Sequence, residues 1–239
     1  MAEITAVRLN KYLAECGVCS RRDADRLIAE GKVTVNGKIA ENGMRVSSED
    51  EVICQGKKLA AKNEKVVLAY YKPLGVTCTE KDKFADKTLK EAFSYPIRVT
   101  YAGRLDKETE GLLLMTNDGD LIQRLMRGTE HQEKEYIVKV TKELPADFKE
   151  KMEEGVFLSE LNRKTKPCKV EILGKYTFRI ILTQGLNRQI RRMCQELGLK
   201  VNALQRIRVA NITLGKLRPG TFRRVNGEEL ETLYRLIGK

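Results

Sequence analysis

The chain has 239 residues, 41% hydrophobic and 33% charged, which suits one large domain or two smaller ones and excludes a wholly disordered chain. Its 45 Lys and Arg against 33 Asp and Glu leave a formal net charge of +12, which favours a polyanionic partner over a neutral small molecule. Residues 1–30 hold no apolar signal core and no run is long enough to span a bilayer, so a cytoplasmic protein without membrane contact is expected. Cysteines at 16, 19, 54, 78, 168 and 194 are irregularly spaced, which argues against a disulfide framework. Cys16 and Cys19 make a lone Cys-x-x-Cys without the further ligands a structural zinc ion needs, so no metal is expected.

In chain order, Leu9, Leu13 and Cys16 share a helical face with Tyr12, which predicts a short amphipathic helix over Arg8–Cys16, ended by Gly17. Ser20 reads as the N-cap of a second helix, with Asp23 as capping-box partner and Gly31 as its stop. Ala24, Leu27 and Ile28 form its apolar face, and Arg21, Arg22 and Arg26 lie away from it. Val33 to Ile39 is predicted as a hairpin turning at Asn36-Gly37. Two helices and a hairpin, with Arg8-Leu9-Asn10-Lys11-Tyr12, Ser20-Arg21-Arg22 and Val35-Asn36-Gly37-Lys38, resemble an S4 RNA-binding module. That resemblance implies phosphate contacts from Arg8, Lys11, Arg21, Arg22 and Arg26, with at least one of the five serving only to solvate its helix. Phosphate contacts position a protein without reading sequence. The polar stretch Ala60 to Lys65 is read as a linker, giving a module over 1–62 and a larger domain over 63–239.

The larger domain is expected to open with a strand over Val66–Tyr71, a turn at Lys72-Pro73-Leu74-Gly75 and a second strand. Gly103-Arg104-Leu105-Asp106-Lys107-Glu108-Thr109-Glu110-Gly111 follows, and then the apolar run Leu112 to Met115. Asp106 stands between two cations, which favour the ionised form that a nucleophile or base requires. Strands are further predicted over Leu112–Thr116, Lys134–Val140, Thr177–Thr183, Val201–Val209 and Asn211–Leu214. Helices are predicted over Asp120–Met126 and Ala146–Met152, with a last one capped by Asn226 and reaching Leu236. Ile190, Met193, Cys194 and Leu197 recur at helical spacing, with Arg188, Arg191, Arg192 and Gln195 on roughly the opposite face, as for an anion-binding surface. From Leu186 to Arg224 there are ten Lys or Arg and one acid, Glu196. Many strands with few helices between them predict an α+β fold with a mostly antiparallel mixed sheet.

Three separated motifs of this domain, Gly103-Arg104-Leu105-Asp106, Lys134-Glu135-Tyr136 and Arg188-Gln189-Ile190-Arg191-Arg192-Met193, resemble those of the RsuA-like family of rRNA pseudouridine synthases. Many relatives carry histidine where this chain has Arg188. The form seen here, with Val18-Cys19-Ser20-Arg21-Arg22, is similar to the F-type large-subunit subgroup. The resemblance implies a central cleft, with Asp106, Tyr136 and Arg191 as catalytic residues and no cofactor. Asp106 either attacks C1′ or abstracts the C2′ proton, Arg191 pairs with it, and Tyr136 stacks on the uracil. Arg104, Leu105, Lys107, Arg188, Gln189, Ile190 and Arg192 are implied in holding RNA, with the target base flipped out of its stack. Arg104 fills the vacated space, and Lys107 and Arg188 hold flanking phosphates. A stem–loop of 23S rRNA is the favoured substrate, with tRNA and small-subunit rRNA open, and a monomer is expected. His131 is read as a loop residue.

The competing class is a non-catalytic RNA-binding or ribosome-assembly factor, for which the Asp106, Tyr136 and Arg191 set would have no use. A hydrolase pairing Asp106 with Glu108 or Glu110 lacks any arrangement that fixes two carboxylates across a bond.

Overall fold

In the computed structural model, the described residues are 6–59, 64–79, 86–127 and 132–238; His131 and linker residues 60–63 lie outside them. The chain divides into two compact units. One runs up to Lys65 and includes Tyr95–Val99 and Asn117–Gly119; the other holds Val66–Ser94, Thr100–Thr116 and Asp120–Lys239.

In the first unit, helices Leu9–Glu15 and Arg21–Ala29 bury Leu9, Leu13, Ala24 and Ile28 against Val33, Val46 and Val52. The Ser20 hydroxyl accepts from the Asp23 amide at 3.1 Å and donates to the Asp23 carboxylate at 2.8 Å. The N-cap is therefore as expected, with hydroxyl and carboxylate paired to each other. The hairpin joins Val33–Val35 to Lys38–Ile39, with Asn36 and Gly37 both at positive φ (51° and 77°) as a two-residue type I′ turn needs. Strands Val52–Cys54 and Lys57–Lys58 complete a four-stranded sheet.

The second unit is built on a nine-stranded sheet. Its main path runs Lys169–Gly174, Thr177–Leu182, Lys134–Val140, Val201–Val209, Glu110–Thr116, Val67–Lys72 and Phe222–Arg224. Thr100–Ala102 and Ile212–Thr213 pair off that path. Among the described residues its ladders are antiparallel except that between Glu110–Thr116 and Val201–Val209. Every residue of Val67–Lys72 is buried, as are Gly111 to Thr116. That explains their unbroken apolar runs, since alternation belongs to strands with one wet face. Helices Phe148–Glu153 and Gln189–Glu196 put Phe148, Met152, Met193 and Cys194 into one core cluster. Helices Gly119–Arg127 and Gly227–Leu236 put Leu121, Leu125 and Leu233 into another. Strand Val201–Val209 serves both, giving Leu204 to the first and Val209 to the second.

Several local features differ from the sequence reading. The second strand expected after the Lys72-Pro73-Leu74-Gly75 turn is reduced to an isolated bridge between Thr77 and Thr88, and Thr100–Ala102 and Lys169–Gly174 are strands not expected from the sequence. Thr88 and Glu91 form a reciprocal capping box on an unanticipated short helix, Leu89–Ala92. Phe222–Arg224, inside the basic segment, is an edge strand on Val67–Lys72. Asn226 is at the N-cap of Gly227–Leu236 but its side chain makes no capping bond. Glu228 and Glu229 in the first turn supply the negative charge that end of a helix favours.

Candidate active site

Thr100–Ala102 and Glu110–Thr116 pair antiparallel, Ala102 opposite Leu114, so the Asp106 segment is the connection between two paired strands. Gly103 enters it at φ +82° and Gly111 leaves it at φ +105°. Gly111 lies opposite Arg206 in the parallel ladder, and a Cβ there would stand 2.3 Å from the Arg206 carbonyl oxygen. Only glycine lets these two backbones approach so closely. Within the loop the Thr109 amide donates to the Asp106 carbonyl at 3.0 Å, a tight turn. The Gly75 amide donates to the Lys107 carbonyl at 2.9 Å, so the Lys72-Pro73-Leu74-Gly75 turn braces the loop from the adjoining strand.

The loop forms one wall of a cleft of about 300 Å³. Arg104, Leu105, Asp106, Tyr136, Arg188, Gln189 and Ile190, all anticipated, line it; so do Thr109, Lys134 and Arg206, which were not. Asp106 is the one acid among the lining residues, and its side chain is 37% exposed. Tyr136 stands directly across from Arg206, whereas Glu135 pairs with Arg208, so the ladder skips a residue between them. Such a bulge re-aims side chains at a sheet face. Here it brings Tyr136 and Arg206 opposite each other, both lining the cleft, and Glu135 binds Arg208 at 2.6 Å and Arg179 at 3.3 Å.

The arginines of the third motif do not form one open anion-binding face. Arg188 lies just before the helix, at φ +50°, a costly conformation for a residue with a Cβ. That conformation carries its guanidinium to Glu108 at 2.7 Å and to Asp106 at 4.0 Å. The pairing expected of Arg191 with Asp106 thus falls to Arg188. Arg191 instead donates to the Glu108 carbonyl at 2.6 Å and to the Val201 carbonyl at 3.4 Å, tying loop to helix. Burial pulls the Arg191 pKa down, helped by Arg188 and opposed by Glu108 and Asp106. Arg192 binds the Asn187 carbonyl at 3.0 Å and ion-pairs with Glu160, and does not line the cleft. Gln189 is only 4% exposed. Its amide oxygen accepts from the Leu186 backbone at 3.0 Å, so it shapes the loop before the helix as well as lining the cleft. Lys107 ion-pairs with Asp86, which raises its pKa, and lies in a neighbouring groove with Glu108, Arg191 and Lys200. The acids that absorb these arginines lie 80 residues upstream, at Glu108, and 32 upstream, at Glu160, too far for helical periodicity to reveal them. The hydrogen bond between Arg188 and Glu108 holds that carboxyl below its ordinary pKa.

Beneath the loop lies a set of cations that motif reading did not single out. Lys72 is 0% exposed and donates to the carbonyls of Pro73 and Val76 at 2.8 and 2.7 Å. Burial lowers its pKa to about 8, against the opposing charges of Cys78, Asp106 and Glu110. Arg206, 3% exposed, donates from Nε to the Leu112 carbonyl at 2.7 Å. Lys134 donates to the Gln132 carbonyl at 3.1 Å, and burial with the nearby Arg206 charge lowers its pKa to about 8. Burial raises the Cys78 thiol, against a backbone hydrogen bond from Leu105 and the charges of Lys72, Arg206 and Arg104. A signal for Arg206 was present in the sequence: it sits two residues from Leu204, on the same face of a strand.

In the first unit, Arg8, Arg21 and Arg22 are exposed and make no ion pair among the described residues. Arg26 pairs with Asp23 at 3.0 Å and Glu30 at 3.9 Å, and Lys11 with Glu15 at 3.7 Å. Arg26 is therefore engaged along its own helix, by i,i+3 and i,i+4 contacts.

A family model described as RNA pseudouridylate synthase matches residues 66–196, and an S4 domain model matches residues 7–52. The dual-specificity RNA pseudouridine synthase RluF of Escherichia coli (strain K12) is 41% identical over 235 residues, spanning 98% of this chain and 80% of the relative. The ribosomal large subunit pseudouridine synthase B of Bacillus subtilis (strain 168) is 39% identical over 237 residues, spanning 96% of each. A crystal structure of a pseudouridylate synthase matches with a TM-score of 0.69 at 32% identity, covering 95% of this chain and 99% of the other.

Proposed function

The chain belongs to the RNA pseudouridylate synthase family, with an S4 domain preceding the synthase unit, and on that premise we propose that it isomerises one uridine in a stem–loop of large-subunit ribosomal RNA. The observation that carries the site assignment is a cleft whose one lining acid, Asp106, is surrounded by Arg104, Lys134, Tyr136, Arg188 and Arg206.

Uridine and pseudouridine have the same composition. The N1–C1′ bond breaks, the base turns, and a C5–C1′ bond forms, so the reaction balances without oxidant, reductant or group donor. Two routes use the same carboxylate: Asp106 attacks C1′, or it takes the C2′ proton to leave a glycal. Both require an ionised Asp106, and the Arg188 guanidinium stands 4.0 Å from its carboxylate. Arg191 acts one step back, holding the Glu108 carbonyl and with it the turn that presents Asp106. Tyr136 offers a ring face to the flipped uracil, and the buried apolar edge of the cleft at Leu105, Ile190 and Leu204 accommodates the rest of the base. Arg104, exposed at the rim, occupies the space the base leaves. Lys107 exchanges Asp86 for a flanking phosphate, and Arg8, Arg21 and Arg22 of the S4 unit hold other phosphates of the RNA.

The test is to incubate the purified protein with unmodified large-subunit rRNA, without metal or nucleotide, and to map pseudouridines. One new pseudouridine is expected. None on large-subunit rRNA, small-subunit rRNA or tRNA would reverse the conclusion in favour of an RNA-binding factor. The E. coli relative is named a dual-specificity enzyme, which is the reason to carry a second RNA class through the same assay.

A further inference from the structure

The cleft holds more positive charge than its carboxylate accounts for. Arg206 and Lys134 both line it, and neither makes an ion pair with a carboxylate among the described residues. Lys72, wholly buried, donates to carbonyl oxygens and to no carboxylate among the described residues. Burying a cation without a directly paired anion is costly, and such groups are ordinarily paired. Among the described residues, two polar atoms in the cleft wall are buried without a hydrogen-bond partner: Arg206 Nη2 and Thr109 Oγ1. The guanidinium of Arg206, a residue only 3% exposed, is anchored by Nε to Leu112 and holds back another donor, and is built to meet something that enters the cleft.

What enters, on the reading of function above, is a uracil, and in either route that uracil becomes an anion. When N1–C1′ breaks, its electron pair stays on N1 and spreads over O2 and O4. Carbon C1′ is meanwhile taken by the Asp106 oxygen or becomes part of a C1′=C2′ double bond. The detached base must then be held while it turns, until C5 bonds to C1′ as the Asp106–C1′ bond breaks, or as Asp106 returns the proton to C2′; C5 then gives up its proton and N1 gains one. Asp106 cannot stabilise that charge, being an anion itself. Tyr136 and Arg206 are directly opposite in the ladder and both line the cleft, so a base stacked on the tyrosine would have the cation beside it.

We propose that Arg206, together with Lys134, is the anion hold for the detached uracil: the pair stabilises the leaving base and keeps it in the cleft while it rotates. Thr109 Oγ1 adds a neutral donor or acceptor to the same wall. Fixed charges aimed at developing charge in a closed site are among the larger contributions to catalysis. A backbone-anchored arginine serves a rotating base well, since it keeps its place whichever carbonyl oxygen faces it.

The experiment compares single-turnover rates on two RNAs, one with uridine at the target and one with 5-fluorouridine, whose base is more acidic at N1 and leaves more readily. The read-out is loss of the N-linked nucleoside after digestion, with RNA affinity and thermal unfolding measured alongside. Arg206→Gln and Lys134→Met are each expected to slow uridine conversion by about 100-fold or more while RNA affinity stays within a few-fold. On 5-fluorouridine their deficit should shrink several-fold, because a better leaving group needs less help. Lys134→Arg, which keeps the charge, should recover most of the uridine rate. Should Arg206→Gln fail to fold, Lys134→Met decides the matter alone. Equal deficits on both RNAs, or no deficit on uridine, would overturn the anion hold and leave the isomerase reading intact. A wild-type protein inert on both RNAs would overturn the isomerase reading, and this inference with it.

Discussion

Replacing Gly111 with alanine tests the backbone geometry that presents Asp106. Gly111 ends the loop at φ +105° and lies opposite Arg206 in the parallel ladder. Its Cβ would meet the Arg206 carbonyl oxygen at 2.3 Å, the Arg206 amide nitrogen at 2.8 Å and the carbonyl carbon at 3.0 Å. All three are backbone atoms in the middle of a sheet, so no side chain can turn away to relieve the clash. A positive φ costs a residue with a Cβ about 1–2 kcal/mol, and overpacking a rigid interior costs roughly 1–3 kcal/mol. The sum, about 2–5 kcal/mol, is a large part of a stability of roughly 5–15 kcal/mol. Urea denaturation followed by circular dichroism would measure it as a fall in midpoint at unchanged slope. Gly119→Ala is the control: that residue begins a helix and a Cβ there meets nothing within 4 Å, so no loss, or a gain of up to about 1 kcal/mol, is expected. A loss below about 1 kcal/mol for Gly111→Ala would refute this account of the loop.

Two further outcomes are expected. Arg21→Gln with Arg22→Gln, both exposed in the first unit, should weaken RNA binding and lower the slope of log affinity against log salt by about 1.4–1.8 for two lost phosphate contacts; an unchanged slope would remove these arginines from the RNA contact. The single-turnover rate should fall as pH rises through about 8, where Lys134 loses its proton, and the fall should disappear in Lys134→Arg. Folded-state depression of a lysine pKa means that the unfolded chain binds more protons between about 8 and the ordinary value of 10.5, so this group's contribution to stability rises across that window. The rate loss is therefore distinguishable from unfolding, and a flat rate between pH 7 and 9 would contradict it.

Most elements were legible because they are local. Ser20 and Asp23 cap a helix by contacts three residues apart, Asn36-Gly37 turns a hairpin, and Ile190, Met193 and Cys194 mark a buried face by spacing alone. The pseudouridine synthase fold and family were carried by motifs, and the family models match both the S4 and the synthase regions. Partnership was not legible. Arg188, Arg191 and Arg192 read as one cationic surface because the groups that hold them, Glu108, the Val201 carbonyl and Glu160, come from other elements. Edge strand Phe222–Arg224 is too short for alternation to declare it. Lys72 was hidden in a turn signal: Pro73 and Gly75 announce the turn, and nothing local says that the lysine before them is wholly buried. Arg206 was the one recoverable omission, a charged residue at a core-facing strand position.

On the proposed mechanism Asp106 opens the glycosidic bond in this cleft. This step is tested most directly by Asp106→Asn, which is nearly isosteric and removes the charge. Wild-type and variant proteins should be compared on the same unmodified rRNA by single-turnover pseudouridine mapping, with affinity measured in parallel. No detectable pseudouridine is expected from the variant, with RNA affinity within a few-fold of wild type. An Asn variant that still forms pseudouridine at a comparable rate would contradict this mechanism.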